Sequence, residues 1–206
     1  TLETVPSGKS ILALRELRLE VGGRILVDGL DLALTRGQRL GVLGPNGCGK
    51  TTLLRAILGE VAPSHGAVVL GKNTRIGYLG QQRDGLDERR SILDNVAEGG
   101  EHVFVGDRAV AVRGYLDRFN FPPDKIHQPV GSLSGGERTR VALAKLLQQT
   151  ANLMVLDEPA NDLDLPTIGA LEQLLLDFGG TALVVTHDRW FLDRVAPHLL
   201  CFTGEG

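Results

Sequence analysis

A glycine-rich stretch that ends in a lysine is the segment of this sequence best suited to hold a phosphate group. Residues 44–51 fit the pattern G-x-x-x-x-G-K-[ST], between an apolar run and a helical pattern. The glycines let backbone N–H groups turn inward, and the helix N-terminus and Lys50 supply positive charge. Thr51 offers a hydroxyl to Mg²⁺. The predicted nucleotide-phosphate loop consists of Gly44, Pro45, Asn46, Gly47, Cys48, Gly49, Lys50, Thr51 and Thr52.

Acidic and histidine side chains follow two further apolar runs. Asp157 and Glu158 come directly after residues 153–156, and His187 follows residues 181–186. Open α/β sheets bind ligands at the carboxyl ends of their strands, so these side chains are expected beside the phosphates. Asp157 is suited to hold Mg²⁺ through water, and Glu158 to polarise an attacking water. A lone histidine is more often structural, but the place of His187 after a core strand favours a catalytic role.

A second candidate anion site opens a later helix. Its residues are Leu133, Ser134, Gly135, Gly136 and Glu137. The spacing of Ser134 and Glu137 is that of a capping box, and the two glycines expose backbone N–H groups at a helix N-terminus. Two phosphate-binding ends that cannot both reach one nucleotide indicate a head-to-tail pair, in which each domain completes the other's site.

Hydrophobic periodicity predicts the elements that must position these residues. Alternating leucines on both sides of Gly22-Gly23 predict an antiparallel hairpin. Runs that are apolar throughout, alternating with helical patterns, predict a mainly parallel α/β sheet. Helices are expected at residues 91–98, 108–119 and 138–149.

These patterns divide the single domain into a core and a lobe. We expect a P-loop NTPase core over about residues 1–82 and 151–206, with an antiparallel β lobe, and a helical subdomain over about residues 83–150. The chain begins with Thr1 and ends in a turn-like tail, so we interpret it as a fragment of a longer polypeptide.

Composition limits the classes of function. Cys48 and Cys201 lie far apart without metal-ligand spacing, which favours a reducing compartment. No apolar run approaches the roughly 18 residues of a membrane span, so no direct membrane insertion is expected. A net charge of −3 argues against broad electrostatic adhesion to nucleic acid. We therefore expect a cytoplasmic protein.

The combined motifs resemble the ABC (ATP-binding cassette) superfamily over nearly all of the chain, because L-S-G-G-E lies between a P-loop and an L-D-E-P strand. Residues 77–81 resemble its Q-loop, residues 161–164 its D-loop and residues 186–189 its switch-histidine loop. The resemblance implies ATP and Mg²⁺ as ligands. It implies metal contacts from Thr51, Gln81 and Asp157, and catalytic roles for Glu158, His187 and Gln81.

The amino-acid sequences of residues 157–164 and 187–192 resemble those of the ABC-F branch, which carries two cassettes on one chain and has no membrane domain. The phosphate loop and residues 95–99 resemble the second cassette of Uup-type proteins. The resemblance implies a second cassette as partner, on the same parent chain or in a homodimer. It also implies action on the ribosome through an inter-cassette linker, or on DNA through a C-terminal coiled coil. Neither segment is in this sequence.

Some alternatives stay open. The resemblance places Val21 where members commonly carry an aromatic ring against adenine, so the preference for ATP over GTP is undecided. A motor subunit of a membrane transporter is the main alternative function. A cassette that binds ATP without useful hydrolysis is a third, which Glu158 and His187 speak against. Five arginines of the lobe are interpreted as a solvated helix face rather than an RNA contact: Arg89, Arg90, Arg108, Arg113 and Arg118.

Overall fold

The computed structural model describes residues 10–80, 85–105, 108–148, 151–161 and 163–203. The strands are β1 Ser10–Val21, β2 Arg24–Thr35, β3 Arg39–Leu43, β4 His65–Leu70, β5 Ile76–Leu79, β6 His102–Val105, β7 Arg108–Ala111, β8 Leu153–Asp157, β9 Thr181–Val185 and β10 His198–Cys201. The helices are α1 Lys50–Ile57, α2 Ile92–Ala97, α3 Val112–Asp117, α4 Gly135–Gln148, α5 Leu165–Asp177 and α6 Arg189–Val195.

The central sheet is parallel, as the sequence predicts. Within the described residues its order is β10-β3-β9-β8-β5, and every neighbouring pair runs in the same direction. All residues of β8 and β9 are buried. Met154 and Leu156 pack into one hydrophobic cluster, whereas Leu153 and Val155 pack into another. Because side chains alternate along a strand, β8 is covered on both faces.

The predicted antiparallel lobe is formed by β2, β1 and β4, in that order. Gly22 and Gly23 join β1 to β2 with φ values of 59° and 80°, a left-handed conformation that glycine adopts without steric cost. The inward leucines of β1 pack with α1 in one core cluster. The lobe is therefore continuous with the parallel sheet through a shared core.

The lobe between β5 and β8 contains two strands, β6 and β7, that the sequence analysis does not predict. Residues 108–119 are not one helix: Arg108–Ala111 is strand β7, paired antiparallel with β6, and the helix is only Val112–Asp117. Val110 pairs directly with the buried Val103. A β-branched residue between two small alanines fits this period-2 pairing better than a helical stripe. The expected helices at residues 91–98 and 138–149 are present as α2 and α4.

After β9 the chain forms two further elements, α6 and β10, that the sequence analysis does not predict. Helix α6 packs against α5, and β10 pairs with the outer edge of β3. Among the described residues, no helix combines the length and the apolar character needed to cross a membrane.

Candidate active site

The phosphate loop lies at the carboxyl end of β3. Gly47 and Gly49 have φ values of 76° and 110°, where a side chain would be strained. A Cβ on Gly44 would lie 2.7 Å from the Cβ of Phe202, and a Cβ on Gly49 would lie 2.9 Å from the Cβ of Leu26. Both contacts are closer than real Cβ atoms tolerate. The loop therefore needs glycine for backbone conformation and for packing.

Lys50 is buried at the start of α1, with only 7% of its surface exposed. Its Nζ donates hydrogen bonds to the carbonyl oxygens of Gly44 and Pro45, at 2.7 and 2.9 Å. The ammonium is thus folded back along its own loop, where the backbone amides and the N-terminus of α1 also lie. A polyphosphate would meet all these groups together.

Asp157, the last residue of β8, is a buried carboxylate. Burial raises the pKa of Asp157, the neighbouring Glu158 carboxylate raises it further, and the charge of Lys50 opposes both. A cation beside this carboxylate would favour its ionised form. The site therefore favours an occupant that brings a positive charge, such as a metal bound to phosphate.

A cavity of about 290 Å³ brings together eight of the predicted site residues. It is lined by Leu26, Asn46, Gly47, Gly49, Lys50, Thr51, Thr52, Asp157 and Glu158. The predicted metal ligands Thr51 and Asp157 thus line the same cavity. Gln81, the third, lies outside the described residues.

Cys48 faces a different space. It lines a larger cavity of about 480 Å³ together with residues 24–31 of β2 and residues 200–203. That cavity carries the acids Asp28 and Asp31, and among the described residues it shares Leu26 alone with the phosphate cavity. Both cavities carry two acids, but the smaller one combines them with Lys50 and the glycine loop, so it is the better nucleotide site although it is not the larger of the two.

Glu158 is turned away from the direction of β8. Its φ is 50°, and its N–H donates to the carbonyl oxygen of Val185 at 2.7 Å. The side chain consequently reaches the end of β9, where the Oγ1 of Thr186 donates to Glu158 Oε2 at 2.8 Å. Both carboxylate oxygens lie 3.0 Å from His187 Nδ1. Two of the three predicted catalytic residues, Glu158 and His187, are therefore in direct contact.

Glu158 is buried, whereas its partner His187 is exposed to solvent. The side chain of Glu158 is 7% exposed, whereas that of His187 is 63% exposed. Because Nδ1 faces the carboxylate, Nε2 is the ring nitrogen able to reach a ligand oxygen. Thr186 is 1% exposed and joins Glu158 to the N–H of Asp188. Sequence reasoning gave Thr186 no role; its place between a buried strand and His187 is the only signal.

The second anion site has the predicted capping box. Ser134 N–H donates to Glu137 Oε2 at 2.9 Å, and Glu137 N–H donates to Ser134 Oγ at 3.3 Å. Hydrogen bonds from Lys125 and from the Ser134 backbone lower the pKa of Glu137 to about 2. Residues 133–137 do not line the phosphate cavity. Within one chain, the two candidate anion sites are therefore separate, as expected.

Asp164 and Val21 are two further positions that the sequence analysis singles out. Asp164 caps α5 by accepting a hydrogen bond from the N–H of Thr167 at 3.0 Å, while Asp162 of the D-loop motif lies outside the described residues. Val21 ends β1 with 52% of its surface exposed. It does not line the phosphate cavity.

Comparison with known proteins agrees with this geometry. The sequence profile described as ABC transporter matches residues 27–161. The chain is 42% identical, over 97% of its length, to the ATP-binding protein Uup-like of Haemophilus influenzae, and covers 44% of that protein. It is 43% identical, over 97% of its length, to the energy-dependent translational throttle protein EttA of Escherichia coli strain K12, and covers 36% of it.

The chain thus spans less than half the length of these curated relatives. The expected resemblance to Uup-type members of the ABC-F branch is confirmed by them. The profile covers more than half of the chain, and it includes both the phosphate loop and the acids that follow β8. The chain therefore belongs to the ABC transporter family, whose cassettes are ATPases.

Proposed function

We propose that this cassette binds ATP with Mg²⁺ in the phosphate cavity and hydrolyses it only when a second cassette closes over the nucleotide. The observation that carries the proposal is the Glu158 carboxylate, fixed by Thr186 and His187 at the wall of a cavity that also holds Lys50. A fixed carboxylate beside a phosphate loop is the arrangement needed to direct a water at a terminal phosphate.

The residues present fit Mg²⁺ and a triphosphate. The glycine cradle excludes side chains, the Thr51 hydroxyl and the Asp157 carboxylate supply hard oxygen ligands, and the raised pKa of Asp157 favours a cationic neighbour. When bound, Mg²⁺ would neutralise charge that develops on the phosphate oxygens.

The chain's own residues divide the remaining work. The loop amides and Lys50 bind the phosphates. Glu158 orients the attacking water and accepts its proton, while the Nε2 of His187 donates to an oxygen of the γ-phosphate. In this proposal the proton of the attacking water moves to the buried Glu158 carboxylate, and the exposed His187 imidazole stabilises the charge on the γ-phosphate.

Closure by a partner is required because the signature residues do not line this cavity. In the proposal, Ser134 and the N-terminus of α4 serve the nucleotide held by a second cassette, on the same parent polypeptide or in a homodimer. Hydrolysis removes the shared γ-phosphate and separates the two cassettes.

Translation is the favoured setting, because a relative is named for throttling translation. We propose the ribosome as client ahead of DNA or a membrane transporter, and the cytosol as compartment. The two cysteines are free, which fits a reducing compartment.

Glu158→Gln tests the catalytic assignment. The substitution keeps the shape but removes the proton acceptor, so turnover should fall by about 100-fold or more. ATP affinity by calorimetry should persist, and sedimentation with ATP should show a longer-lived dimer. Lys50→Ala is the contrasting variant, because it should weaken nucleotide binding itself. Normal turnover in Glu158→Gln would refute the assignment.

Co-sedimentation with ribosomes tests the client. The full-length polypeptide carrying Glu158→Gln should pellet with ribosomes in the presence of ATP and remain in solution without it. Equal recovery with and without ATP, or with DNA in place of ribosomes, would refute this part of the proposal.

A further inference from the structure

Arg140 lies on α4, beyond the signature residues, and contacts two other segments of the chain as well as its own helix. Its Nη1 donates to the Oγ1 of Thr167 at 3.1 Å, its Cζ lies 5.2 Å from the ring centroid of Phe121, and its Nη2 lies 3.9 Å from Glu137 Oε1. Its side chain is 14% exposed. A guanidinium in this position joins the signature helix, the helical lobe and the start of α5.

The contact with Thr167 places Arg140 at the point where the chain leaves the catalytic edge of the sheet. Thr167 is buried in the first turn of α5, and its N–H donates to the capping carboxylate of Asp164. Asp164 belongs to the segment that follows Glu158. Hydrogen bonds from Thr167 lower the pKa of Asp164, and the charge of Arg140 also lowers it.

Holding the Arg140 side chain in this position costs free energy. Among the described residues, the Nε of Arg140 is buried without a hydrogen-bond partner. Burying an unpaired donor is unfavourable, so the contacts with Thr167, Phe121 and Glu137 must outweigh it. A purely solvent-facing arginine would avoid this cost by turning outward.

Arg138 provides the comparison on the same helix. Its Nε is also buried without a partner in the described part of the chain, yet its two terminal nitrogens donate to Glu88 and to the carbonyl of Gly131. Both partners belong to the helical lobe. Arg138 therefore fixes α4 within its lobe, whereas Arg140 is the arginine of the pair that crosses to α5.

We propose that Arg140 is a positioning residue that makes the signature helix and the N-terminus of α5 move as one body. The inference rests on the proposed closure of two cassettes. The signature would serve the partner's nucleotide, and the segment before α5 adjoins the chain's own Glu158. When the signature helix closes over the partner's nucleotide, Arg140 therefore shifts the segment that adjoins Glu158. Closure at the partner's nucleotide thus changes the position of the catalytic residues at the chain's own nucleotide.

The test is a double-mutant cycle on turnover in this chain, at concentrations where the wild type hydrolyses ATP. Arg140→Met should lower kcat by about tenfold, because a small displacement of a catalytic group is costly. KM for ATP should stay within about twofold, because Arg140 does not line the phosphate cavity. Arg138→Met is the matched control and should retain kcat.

Thr167→Val removes the acceptor with almost no change of shape. Because Arg140 acts through Thr167, the double variant should be no slower than Arg140→Met alone. Arg140→Lys should not restore kcat, since one compact ammonium cannot both donate to Thr167 and contact the Phe121 ring. If Arg140→Met does not fold, Thr167→Val alone must still lower kcat with an unchanged KM.

Additive losses in the double variant, or a kcat for both single variants within about twofold of the wild type, would overturn the inference. Its failure is distinct from failure of the proposed function. The former leaves Glu158→Gln inactive while Arg140→Met turns over normally; the latter leaves Glu158→Gln active, whatever Arg140 does.

Discussion

Glu158 shows how a single backbone angle creates a catalytic arrangement. At a φ of 50° the residue adopts a left-handed conformation that side chains other than glycine rarely take. Hydrogen bonds from its N–H to Val185 and from Thr186 to its carboxylate offset that strain. An extended Glu158 would instead continue the line of β8. The strain therefore turns a strand-end acid toward His187.

Thr186 should consequently matter for turnover. Thr186→Val keeps the shape but removes a hydrogen bond to a charged group, worth about 1.5–3 kcal/mol. We expect kcat to fall by about tenfold or more, with ATP affinity unchanged because Thr186 does not line the cavity. Steady-state kinetics and calorimetry measure the two effects.

Thr181 supplies the control for this prediction. It is a buried hydroxyl at the opposite end of β9, bonded to the Thr35 carbonyl and to the Gly37 N–H. Thr181→Val should lower the melting temperature and leave kcat intact. Equal kcat losses in both variants would assign the Thr186 effect to the strand rather than to Glu158.

The ionised carboxylate of Asp157 should lower the stability of the folded chain at neutral pH. Its pKa is raised in the folded chain, so its contribution to stability is present at acid pH and is lost as pH rises through the folded pKa. Asp157→Asn should therefore raise the melting temperature at pH 7 and abolish Mg²⁺-dependent turnover. The thermal gain should shrink as the pH falls toward the ordinary carboxyl range.

Thermal melts of the metal-free protein across pH measure this gain. Asp164→Asn is the control, because the pKa of Asp164 is lowered by Thr167 and the substitution should bring no gain. A melting temperature for Asp157→Asn at or below that of the wild type at pH 7 would contradict the prediction.

At the scale of the element, α4 uses its first turn for two purposes. Ser134 caps the helix through the N–H of Glu137, and in the proposal the same hydroxyl faces a partner's phosphate. The cap and the ligand contact compete for one oxygen, so stability and closure are linked at this helix end.

Ser134→Ala should therefore lower both quantities. Loss of the cap should cost about 1 kcal/mol of unfolding free energy, and turnover should fall with it. Denaturant titration and ATPase rates measure the two. Ser132→Ala, at an exposed serine bonded to the Pro129 carbonyl, is the matched control and should preserve turnover. Unchanged stability and turnover in Ser134→Ala would remove this serine from both roles.

At the scale of the whole molecule, separation of the two anion sites predicts a dependence on concentration. The signature residues lie outside the phosphate cavity of their own chain, so turnover should require association. Turnover per chain should rise with protein concentration and level off as dimers saturate. Sedimentation under the same conditions supplies the oligomeric state. A constant turnover per chain in a monomeric sample would contradict closure by a second cassette.

Much of this architecture follows from local pattern. The strands β3, β8 and β9 are continuous apolar runs, and their parallel arrangement brings Lys50, Asp157 and His187 to one edge. Strand β10 escaped prediction because it has four residues, mostly exposed, and pairs only with a strand far away in sequence. The role of Thr186 escaped because it depends on the backbone angle of Glu158, which no residue pattern encodes.

The position of β3 has a consequence for biosynthesis. Its neighbours on either side are β9 and β10, both made long after it, and Phe202 packs against Gly44. A nascent chain that has exposed only its first half therefore lacks both flanking strands of the nucleotide loop. Nucleotide capture should begin only when synthesis has passed Phe202, so an emerging cassette cannot close on ATP before its own core is complete.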